Sequence, residues 1–599
     1  MHRIVQKHLR AIATTIVGGA LAAVLAAPAF AAPLTQTRLN NADNEPHNWL
    51  MNFQNYGSQR FSRLAQINSS NVQNLKVAYT MPMVQPLIGR TSLDNQASGL
   101  VEDGFMYIDA GGGFTYKFDL RSGTKATYVW EANTALPTDQ SARTRGHAMM
   151  GESIYMTLRD ARVVSINRNT GEIQWDQQIG KVAHPKAQTE VGTPYENFNA
   201  AAIAAEGKLI VGNAGGDSGG RGWLAAVNAA DGKEVWRFYT IPGPGEQGFE
   251  TWKDTNQAWK TGGGGMWTTG SYDVGARATI WGVGQPMPMH DPEFRPGDNL
   301  FSNAVIALDI DTGKLKWFFQ YTPNESWDYD EQGVHMLYDL PNAAGAARQV
   351  VGHYSRSGFY YQVDRSNGAF LSATQFVDVV NWTKGIDPKT GKPMEYNPAV
   401  GVQPYVPETR RLRGQVGNTF EPTCPHRLGG IRWQPQAYNP NKRIAYAAGM
   451  DGCVQFDVVP VLLEANGGGI SRQSPSRSAI GNQVHHGVRG IISAVDVVTG
   501  KQIAKISQPY ENRAGVLATA GNLVFSGTLD GAVTAHDDQT LAELWRFETG
   551  TSIKAAPIAF SVNGKQFIAV IAAGGAPGGG MWPELGLMKN GGALYVFSL

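Results

Sequence analysis

Two aspartates lie two residues apart in the stretch from Tyr321 to Gly333, which reads YTPNESWDYDEQG. In an extended chain, residues i and i+2 point to the same side, so Asp328 and Asp330 would lie side by side. Two neighbouring carboxylates repel each other unless a cation, a proton or solvent relieves them. The pair therefore has two interpretations, a pair relieved by a cation or a proton and an exposed acidic turn, and other parts of the chain must decide.

The start of the chain has the composition of a secretory signal peptide. The first ten positions hold three basic residues and no acid: Arg3, Lys7 and Arg10. A small, apolar run over 11–27 precedes the cleavage pattern Ala29-Phe30-Ala31,. An uncleaved anchor is the alternative, but the small residues at the end of the run argue against it, and no later segment resembles a span of about 20 apolar residues. We expect a signal peptide over 1–31 and an exported, periplasmic domain over 32–599.

The cysteine count and the charge exclude several classes of protein. The two cysteines, Cys424 and Cys453, are expected to form one disulfide in an oxidising compartment,. Two thiols cannot form a four-thiolate metal site, and neither lies in the C-x-x-C-H pattern that attaches a c-type haem. The formal net charge of +1 gives no reason to expect a nucleic acid or an anionic membrane as partner,.

A short phrase recurs along the chain. It consists of an apolar run, an acid or amide, a turn that often contains Gly, and a Trp eight positions after the acid or amide. Four copies keep the Trp, and they end at Trp175, Trp236, Trp317 and Trp545. Three degenerate copies lack it at that spacing, and they contain Asp119, Asp364 and Asp496.

The repeated phrase predicts a β-hairpin. An alternating β-branched run leads into a D-x-x-T-G turn, in which Gly supplies the positive φ angle. The second strand ends in a large aromatic residue that can pack against a neighbouring unit. Seven copies without long helical periodicity predict an all-β propeller of seven or eight four-stranded blades. The Gly- and Trp-rich segment 237–300 is much longer than an ordinary blade connection, which indicates a function beyond the scaffold,.

Five segments together resemble the quinoprotein alcohol dehydrogenases, the methanol and ethanol dehydrogenase family that uses pyrroloquinoline quinone (PQQ). They read RFSRLAQINSSNVQNLKVAYT, GGRGWLAAVNAADGKEVWRFYTIPGPGE, RPGDNLFSNAVIALDIDTGKLKW, TPNESWDYD and TCPHRLGGIRWQPQAY. The resemblance covers essentially the whole chain after the signal peptide. It implies an eight-bladed propeller with PQQ and a metal ion near the central axis.

The resemblance assigns a metal site to the acidic pair. Asp328 matches the catalytic base, which takes the proton of the substrate hydroxyl beside a bound cation. Asp330 stands where lanthanide-using members carry an extra carboxylate, although a solvated acid in a variable turn is the alternative. Asp217 and Gln285 replace a Glu and an Asn of the family. Hard cations take oxygen ligands from either pair, so the two changes either shift the ion within its site or weaken its binding. The expected ion is Ca²⁺ or a lanthanide.

Three residues match the family's contacts to PQQ. Trp267 matches the tryptophan that forms the flat floor under the quinone. Arg145 matches an arginine that contacts the cofactor's carboxylates. A guanidinium suits this role because it can donate two hydrogen bonds to one carboxylate. Arg356 matches the arginine placed over the quinone oxygens, where it can stabilise the reduced form. An ordinary surface arginine is the alternative interpretation for Arg145 and for Arg356.

At other positions that align with cofactor-binding residues of the family, this chain carries a different residue type. Gln96 stands where a Glu usually contacts the cofactor, Asn199 replaces a Thr, and Arg432 replaces an Asn. Asp139-Gln140 replaces the vicinal cysteine pair that covers the other face of PQQ, so the resemblance implies a reshaped pocket. Cys424 and Cys453, by contrast, match a second disulfide of the family.

The resemblance implies a periplasmic PQQ-dependent alcohol dehydrogenase. Since the chain has no haem motif, the expected electron acceptor is a separate carrier such as a soluble cytochrome c. A homodimer is left open. Two alternatives remain: a sugar or polyol dehydrogenase of the same family, and a non-catalytic propeller that serves as a scaffold or binding module.

Overall fold

Eight antiparallel sheets follow one another along the chain; seven have four strands, and one has a fifth, short parallel strand at its inner edge. The computed structural model describes residues 33–83, 94–135, 143–181, 196–341, 347–409, 421–458, 480–575, 581–588 and 591–599. The predicted signal peptide over 1–31 lies outside these residues. The eight sheets are the blades of an all-β, eight-bladed propeller, as predicted.

The blades are numbered here in chain order, and their strands are given from the innermost strand outward. Blade 1 contains Leu100–Glu102, Phe105–Gly111, Phe114–Asp119 and Thr127–Asn133. Blade 2 contains Ala148–Met150, Ser153–Thr157, Arg162–Asn167 and Ile173–Gln178. Blade 3 contains Ile203–Ala205, Lys208–Gly212, Trp223–Asn228 and Glu234–Tyr239. Blade 4 contains Ser271–Asp273, Ala278–Gly282, Ala304–Asp309 and Leu315–Gln320.

The other four blades follow the same order. Blade 5 contains Met336–Pro341, Ala347–Tyr354, Phe359–Asp364 and Phe370–Gln375. Blade 6 contains Ala437–Asn439, Ile444–Val458, Ile480–Asp496 and Lys501–Gln508. Blade 7 contains Val516–Thr519, Leu523–Gly527, Ala532–Asp537 and Glu543–Glu548. Blade 8 contains Ile558–Val562, Lys565–Ala572, Ala593–Ser598 and, from the start of the chain, Lys76–Pro82.

Elements outside the blades are short. The strand Phe61–Ser62 pairs in parallel with the innermost strand of blade 7, and Asp94–Asn95 pairs in parallel with Arg143–Thr144. The helices in the described residues are one α-helix, Gln36–Asn40, and the 3₁₀-helices Ala42–Asn44, Val72–Asn74, Gly216–Ser218, Phe249–Thr251, Ala258–Thr261 and Pro583–Leu587. No helix in the described part of the chain is long and apolar enough to cross a membrane.

Burial falls from the centre of the ring to its rim. The innermost strand Val516–Thr519 is buried at every position, whereas the outermost strand Ile173–Gln178 is mostly exposed. Innermost strands of successive blades contact one another, for example those of blades 2 and 3 and those of blades 3 and 4. The innermost strands therefore surround the axis, and the loops at their ends lie close together.

The repeated phrase forms the third and fourth strands of blades 1 to 7. Its Trp packs on the turn of the next blade, as predicted. Trp236 Nε1 donates a hydrogen bond to the Ile310 carbonyl at 3.0 Å, and a Cβ on Gly313 would lie 2.5 Å from the Trp236 ring. Gly313 has a φ of 68°, which favours glycine,. Blade 8 carries no copy because its third and fourth strands come from opposite ends of the chain.

The segment 47–62 bonds to the innermost strands of most blades. Its backbone carbonyls accept hydrogen bonds from the N–H groups of Ser561, Tyr272, Leu337, Tyr438 and Ala518, at 2.8 to 3.1 Å. The backbone of Trp49 pairs with Val101, and the Tyr56 hydroxyl donates to the Ala204 carbonyl at 2.6 Å. This floor segment thus contacts blades 1, 3, 4, 5, 6, 7 and 8.

Candidate active site

All predicted site residues in the described part of the chain lie in two kinds of loop. One kind precedes the innermost strand of a blade, and the other joins the second strand to the third. Because neighbouring strands of a blade run in opposite directions, both loops leave the blade at the same face. The predicted residues are Gln96, Arg145, Asn199, Asp217, Trp267, Gln285, Asp328, Asp330, Arg356 and Arg432.

A cavity of about 170 Å³ lies at this face. Six predicted residues line it: Gln96, Arg145, Asn199, Asp217, Trp267 and Arg432. Sequence reasoning missed Asp94, Trp433, Arg513 and Lys554, which also line it. The cavity thus has two indole rings and four cationic side chains in its walls.

The cationic and aromatic residues stack on one another. Arg145 Nη1 donates a hydrogen bond to the Trp267 carbonyl at 2.9 Å, and its guanidinium carbon lies 4.9 Å from the centre of the Trp267 ring. The same carbon lies 5.7 Å from the Trp433 ring. The Trp267 backbone N–H donates to Gln332 Oε1 at 3.1 Å, which fixes the position of this residue. The arrangement suits a planar anionic molecule, because the rings can stack with it while the cations meet its charges.

The predicted metal-binding residues meet at the wall that Asp217 forms. Gln285 Nε2 donates to Asp217 Oδ1 at 2.6 Å, and the Gln285 backbone N–H donates to Asp330 Oδ1 at 2.9 Å. Arg356 Nη1 lies 2.5 Å from Asp330 Oδ2, and Arg356 Nη2 lies 3.2 Å from Asp328 Oδ2. Three carboxylates, one amide and one guanidinium therefore form a connected cluster.

Burial and the neighbouring charges raise the pKa values of two carboxyl groups in this cluster. Burial raises the pKa of Asp217, and the charge of Asp328 raises it further, while its side chain remains exposed to the cavity. Burial also raises the pKa of Asp330 well above its usual value, against the opposing effect of Arg356, and both neighbouring aspartates add to the rise. The oxygen atoms of the three carboxylates and of Gln285 are the ligand type that a hard metal ion takes, so the chemistry of the donor set suits such an ion. In the described structure the ligand oxygens of Asp217, Asp328 and Asp330 do not all lie within 4.8 Å of one another.

Asp328 has a backbone conformation that the sequence did not predict. Its φ of 72° is left-handed, so the extended geometry expected for residues 328–330 is wrong at this position. Glu325 Oε1 accepts hydrogen bonds from the backbone N–H groups of Trp327 at 2.5 Å and Tyr329 at 2.9 Å, which holds the turn. Asp328 and Asp330 are both buried, so the exposed acidic turn is excluded. A left-handed non-glycine residue held by its surroundings is typical of a functional site.

Several buried polar atoms in the cavity walls have no hydrogen-bond partner among the described residues. They are Gln96 Oε1, Arg432 Nε and Trp433 Nε1. Burial, followed by the charge of Arg356, lowers the pKa of Arg432 to about 9. Asn199 differs, because its Oδ1 accepts from Arg159 Nη1 at 2.7 Å. Buried polar groups in proteins are normally satisfied, so these three atoms are candidates to bond to a polar ligand in the cavity.

Most residues that line the cavity, including three of the four that sequence reasoning missed, follow a positional rule. Gln96, Asn199, Trp267, Trp433 and Lys554 each stand four residues before the first residue of an innermost strand. Arg145 and Arg513 stand three residues before one. The offset is a signal in the sequence, but it can be used only when the starts of the innermost strands are known.

The predicted disulfide between Cys424 and Cys453 is present and joins the loop before blade 6 to the second strand of that blade. The loop carries Arg432. Asp139-Gln140, which replaces the family's vicinal cysteine pair, lies outside the described residues.

Comparison with known proteins identifies the family. The family model described as "PQQ: Glucose/ethanol/alcohol dehydrogenase, beta-propeller domain" matches residues 49–383 and 402–568. The chain belongs to this family of PQQ-dependent dehydrogenases. Its fold and its cationic, aromatic cavity agree with that membership.

Relatives in the family act on alcohols. The chain is 31% identical to the quinohemoprotein alcohol dehydrogenase ADH IIB of Pseudomonas putida, over 95% of this chain and 80% of the relative. It is 30% identical to the quinoprotein alcohol dehydrogenase PedH of Pseudomonas putida, over 97% and 96% of the two chains. A solved europium-containing methanol dehydrogenase matches with a TM-score of 0.80 and 28% identity, over 94% of this chain and 100% of that one. The chain is therefore a PQQ-dependent alcohol oxidoreductase, and not the non-catalytic propeller considered from the sequence.

Proposed function

We propose that the protein is a periplasmic dehydrogenase that oxidises an alcohol to an aldehyde or ketone, with Asp328 as the base and a Ca²⁺ or lanthanide ion beside it. One observation carries this proposal. Asp217 lines a cavity whose other walls are mostly cationic and aromatic, and hydrogen bonds and ion pairs connect Asp217 to Gln285, Asp330, Arg356 and Asp328 behind it. Such a cavity suits a hard cation and a planar polycarboxylate next to each other.

The cofactor would be held by the cavity walls. Trp267 would support its flat face, and the cations Arg145, Arg432, Arg513 and Lys554 would bind its carboxylates. When bound, PQQ supplies the electron acceptor for the hydride that leaves the carbinol carbon. Gln96 Oε1 and Trp433 Nε1 offer one hydrogen-bond acceptor and one donor to the polar edge of the cofactor.

The metal ion would be held by Asp217, Gln285, Asp328 and Asp330. Gln285 uses Nε2 to bond to Asp217, so its Oε1 is the atom that serves as a ligand. The direct bond between the shortened acid and the lengthened amide supports the interpretation that the two replacements compensate each other. Asp330 adds a third carboxylate, which suits a trivalent ion.

The proton step would belong to Asp328. Its carboxylate accepts the proton of the substrate hydroxyl, and Arg356 orients it through the contact at 3.2 Å,. The positive φ angle, maintained by Glu325, directs the side chain toward the carboxylate cluster rather than along an extended strand. Arg356 also carries the positive charge that stabilises negative oxygen formed during the reaction.

Export and electron transfer complete the proposal. The signal peptide over 1–31 supports a periplasmic location, and the absence of a C-x-x-C-H motif in the sequence supports a separate electron acceptor such as a soluble cytochrome c,.

Reconstitution tests the proposed function. Protein purified without cofactor is expected to be inactive, and PQQ with Ca²⁺ or La³⁺ is expected to restore dye reduction by an alcohol. Binding of PQQ is measured separately by its absorbance, and the substrate panel includes primary alcohols, polyols and sugars. Failure to bind PQQ with either ion would contradict the proposal, and activity confined to sugars and polyols would favour the alternative substrate class.

A further inference from the structure

A second arginine lies beside the proposed base. Arg427 Nη1 is 3.5 Å from Asp328 Oδ2, the same oxygen that Arg356 contacts. The two guanidiniums differ in their surroundings. Arg356 is buried and is engaged by Asp330, Asp328 and the carbonyl of Arg427, whereas the Arg427 side chain is 20% exposed. Arg427 therefore forms the more open side of the site.

Contacts on the side away from Asp328 fix the position of the Arg427 side chain and its loop. Its Nε donates to Gln483 Oε1 at 3.0 Å, on the third strand of blade 6. The disulfide between Cys424 and Cys453 anchors the same loop, and the His426 backbone N–H donates to the Gly452 carbonyl at 2.7 Å. Among the described residues, no group accepts a hydrogen bond from Arg427 Nη2. One edge of a fixed guanidinium is thus available next to the base.

The charges at this position favour an anion. In the proposed function, Asp328 is shared by Arg356, Arg427 and a cation of two or three charges. Of the two guanidiniums that share Asp328, Arg427 is the more exposed, at 20% against 1% for Arg356, so it is the one that a ligand can reach. A substrate that brings its own negative charge to Arg427 would be favoured over a neutral one.

We propose that Arg427 binds the carboxylate of the substrate and that the substrate is a 2-hydroxy acid; this inference rests on the proposed function. The hydroxyl and carboxylate oxygens of a 2-hydroxy acid are separated by about one hydrogen-bond length, on the order of 3 Å. The base oxygen and the Arg427 nitrogen are 3.5 Å apart, so one small molecule can contact both. Oxidation removes the hydroxyl proton to Asp328 and the C2 hydride to the quinone, which is the oxidant, and leaves a 2-oxo acid.

Binding of two unreactive analogues tests the inference without turnover. The probes are 2-hydroxy-2-methylpropanoate, a tertiary alcohol that has no C2 hydrogen to lose, and its neutral amide. Calorimetry on the reconstituted enzyme is expected to show at least tenfold tighter binding of the acid. Arg427→Met should remove this preference, and Arg427→Lys should keep part of it. Arg489→Met is the matched control, because Arg489 lies on the same strand as Gln483 but pairs with Asp378.

Activity gives the second readout. The ratio of kcat/KM for lactate to that for lactamide is expected to exceed ten in the wild type and to fall at least tenfold in Arg427→Met. Equal binding of acid and amide by the wild type overturns the inference, as does an unchanged preference in a folded Arg427→Met protein. If the variant does not fold, the comparison of acid with amide on the wild type decides.

The same measurements separate this inference from the proposed function. A wild type that oxidises neutral alcohols with PQQ but shows no preference for the acid keeps the proposed function and contradicts the assignment of Arg427. A wild type that oxidises no alcohol contradicts the proposed function, and the inference about its substrate is overturned with it.

Discussion

At the scale of single residues, Asp328 shows how local contacts prepare a functional group. Its left-handed backbone is unfavourable for most residues with a Cβ, and Glu325 maintains it by accepting two backbone hydrogen bonds of the turn,. Two arginines lie within 3.5 Å of its carboxylate. Asn tolerates the same backbone region, so Asp328→Asn changes the acid-base chemistry without requiring a new turn.

Asp328→Asn is expected to reduce turnover by at least about 1,000-fold, since an amide cannot accept a proton at neutral pH. Thermal unfolding and PQQ binding are expected to remain close to those of the wild type. Turnover is measured with saturating PQQ, cation and alcohol. Near-normal turnover in this variant would mean that another group is the base.

Asp330→Ala is expected to change which ion supports activity. Loss of one carboxylate lowers the negative charge of the cluster, so La³⁺-supported turnover should fall by about tenfold more than Ca²⁺-supported turnover. Titration of each ion at saturating PQQ measures the effect. An equal loss with both ions would contradict the role of Asp330 as an extra ligand.

His536 lies in the third strand of blade 7, and its burial leads us to expect that the stability of the protein depends on pH. Burial lowers its pKa to about 4, and the ring contacts the Leu541 carbonyl and the Thr534 hydroxyl. Between pH 6.5 and about 4 the unfolded state binds more protons than the folded state, so stability is lost as the pH falls through this range, by about 3 kcal/mol at most. His536→Gln should therefore show a shallower fall of the melting temperature from pH 7 to 4.5. Parallel curves for the two proteins would contradict this.

At the scale of elements, the repeated phrase was sufficient to predict the hairpins of seven blades and the packing of Trp on the next blade. Each phrase encodes its own turn, so a local pattern can be read without the rest of the fold. The cavity was harder to predict. Lys554 and Arg513 stand outside the phrase, and only their distance from an innermost strand brings them to the axis.

The conformation of the acidic turn was also hard to predict from the local sequence. The sequence indicated a pair of carboxylates that needs a counter-charge, but it did not predict the left-handed Asp328. That conformation depends on the carboxylate of Glu325, which acts here as a hydrogen-bond acceptor for the turn rather than as a metal ligand. The composition of the turn does not distinguish these roles.

The disulfide between Cys424 and Cys453 is expected to contribute about 2–4 kcal/mol to stability, because it closes a loop between residues 29 apart,. The double variant Cys424→Ala/Cys453→Ala should unfold at a lower temperature and keep measurable turnover when folded. Thermal unfolding with and without reductant measures the loss. Thiol labelling of both cysteines in the native, non-reduced protein would contradict a bond between them.

At the scale of the whole molecule, the two ends of the chain close the ring. Lys76–Pro82 pairs with Ala593–Ser598, which in turn pairs with Lys565–Ala572. Blade 8 therefore exists only when residues from both ends have come together. This is a contact of long sequence separation, and such contacts form slowly during folding.

Deletion of 593–599 is expected to abolish soluble folded protein, because it removes the third strand of blade 8 and leaves two strands unpaired,. Deletion of Leu599 alone is the matched control, since this residue is exposed and lies beyond the strand. Soluble yield and circular dichroism of the two proteins measure the difference. A folded ring without residues 593–599 would show that blade 8 does not depend on the strand that these residues form.

The floor segment 47–62 has an evolutionary consequence. It bonds to the innermost strands of seven different blades, to six of them with backbone carbonyls and to blade 3 with the Tyr56 hydroxyl. A ring that gained or lost one blade by duplication or deletion would have a different circumference, and these partners would no longer be within reach of the same short segment. A change in the number of blades would therefore break several of these bonds, and we expect related proteins to vary in their loops more freely than in their repeat count.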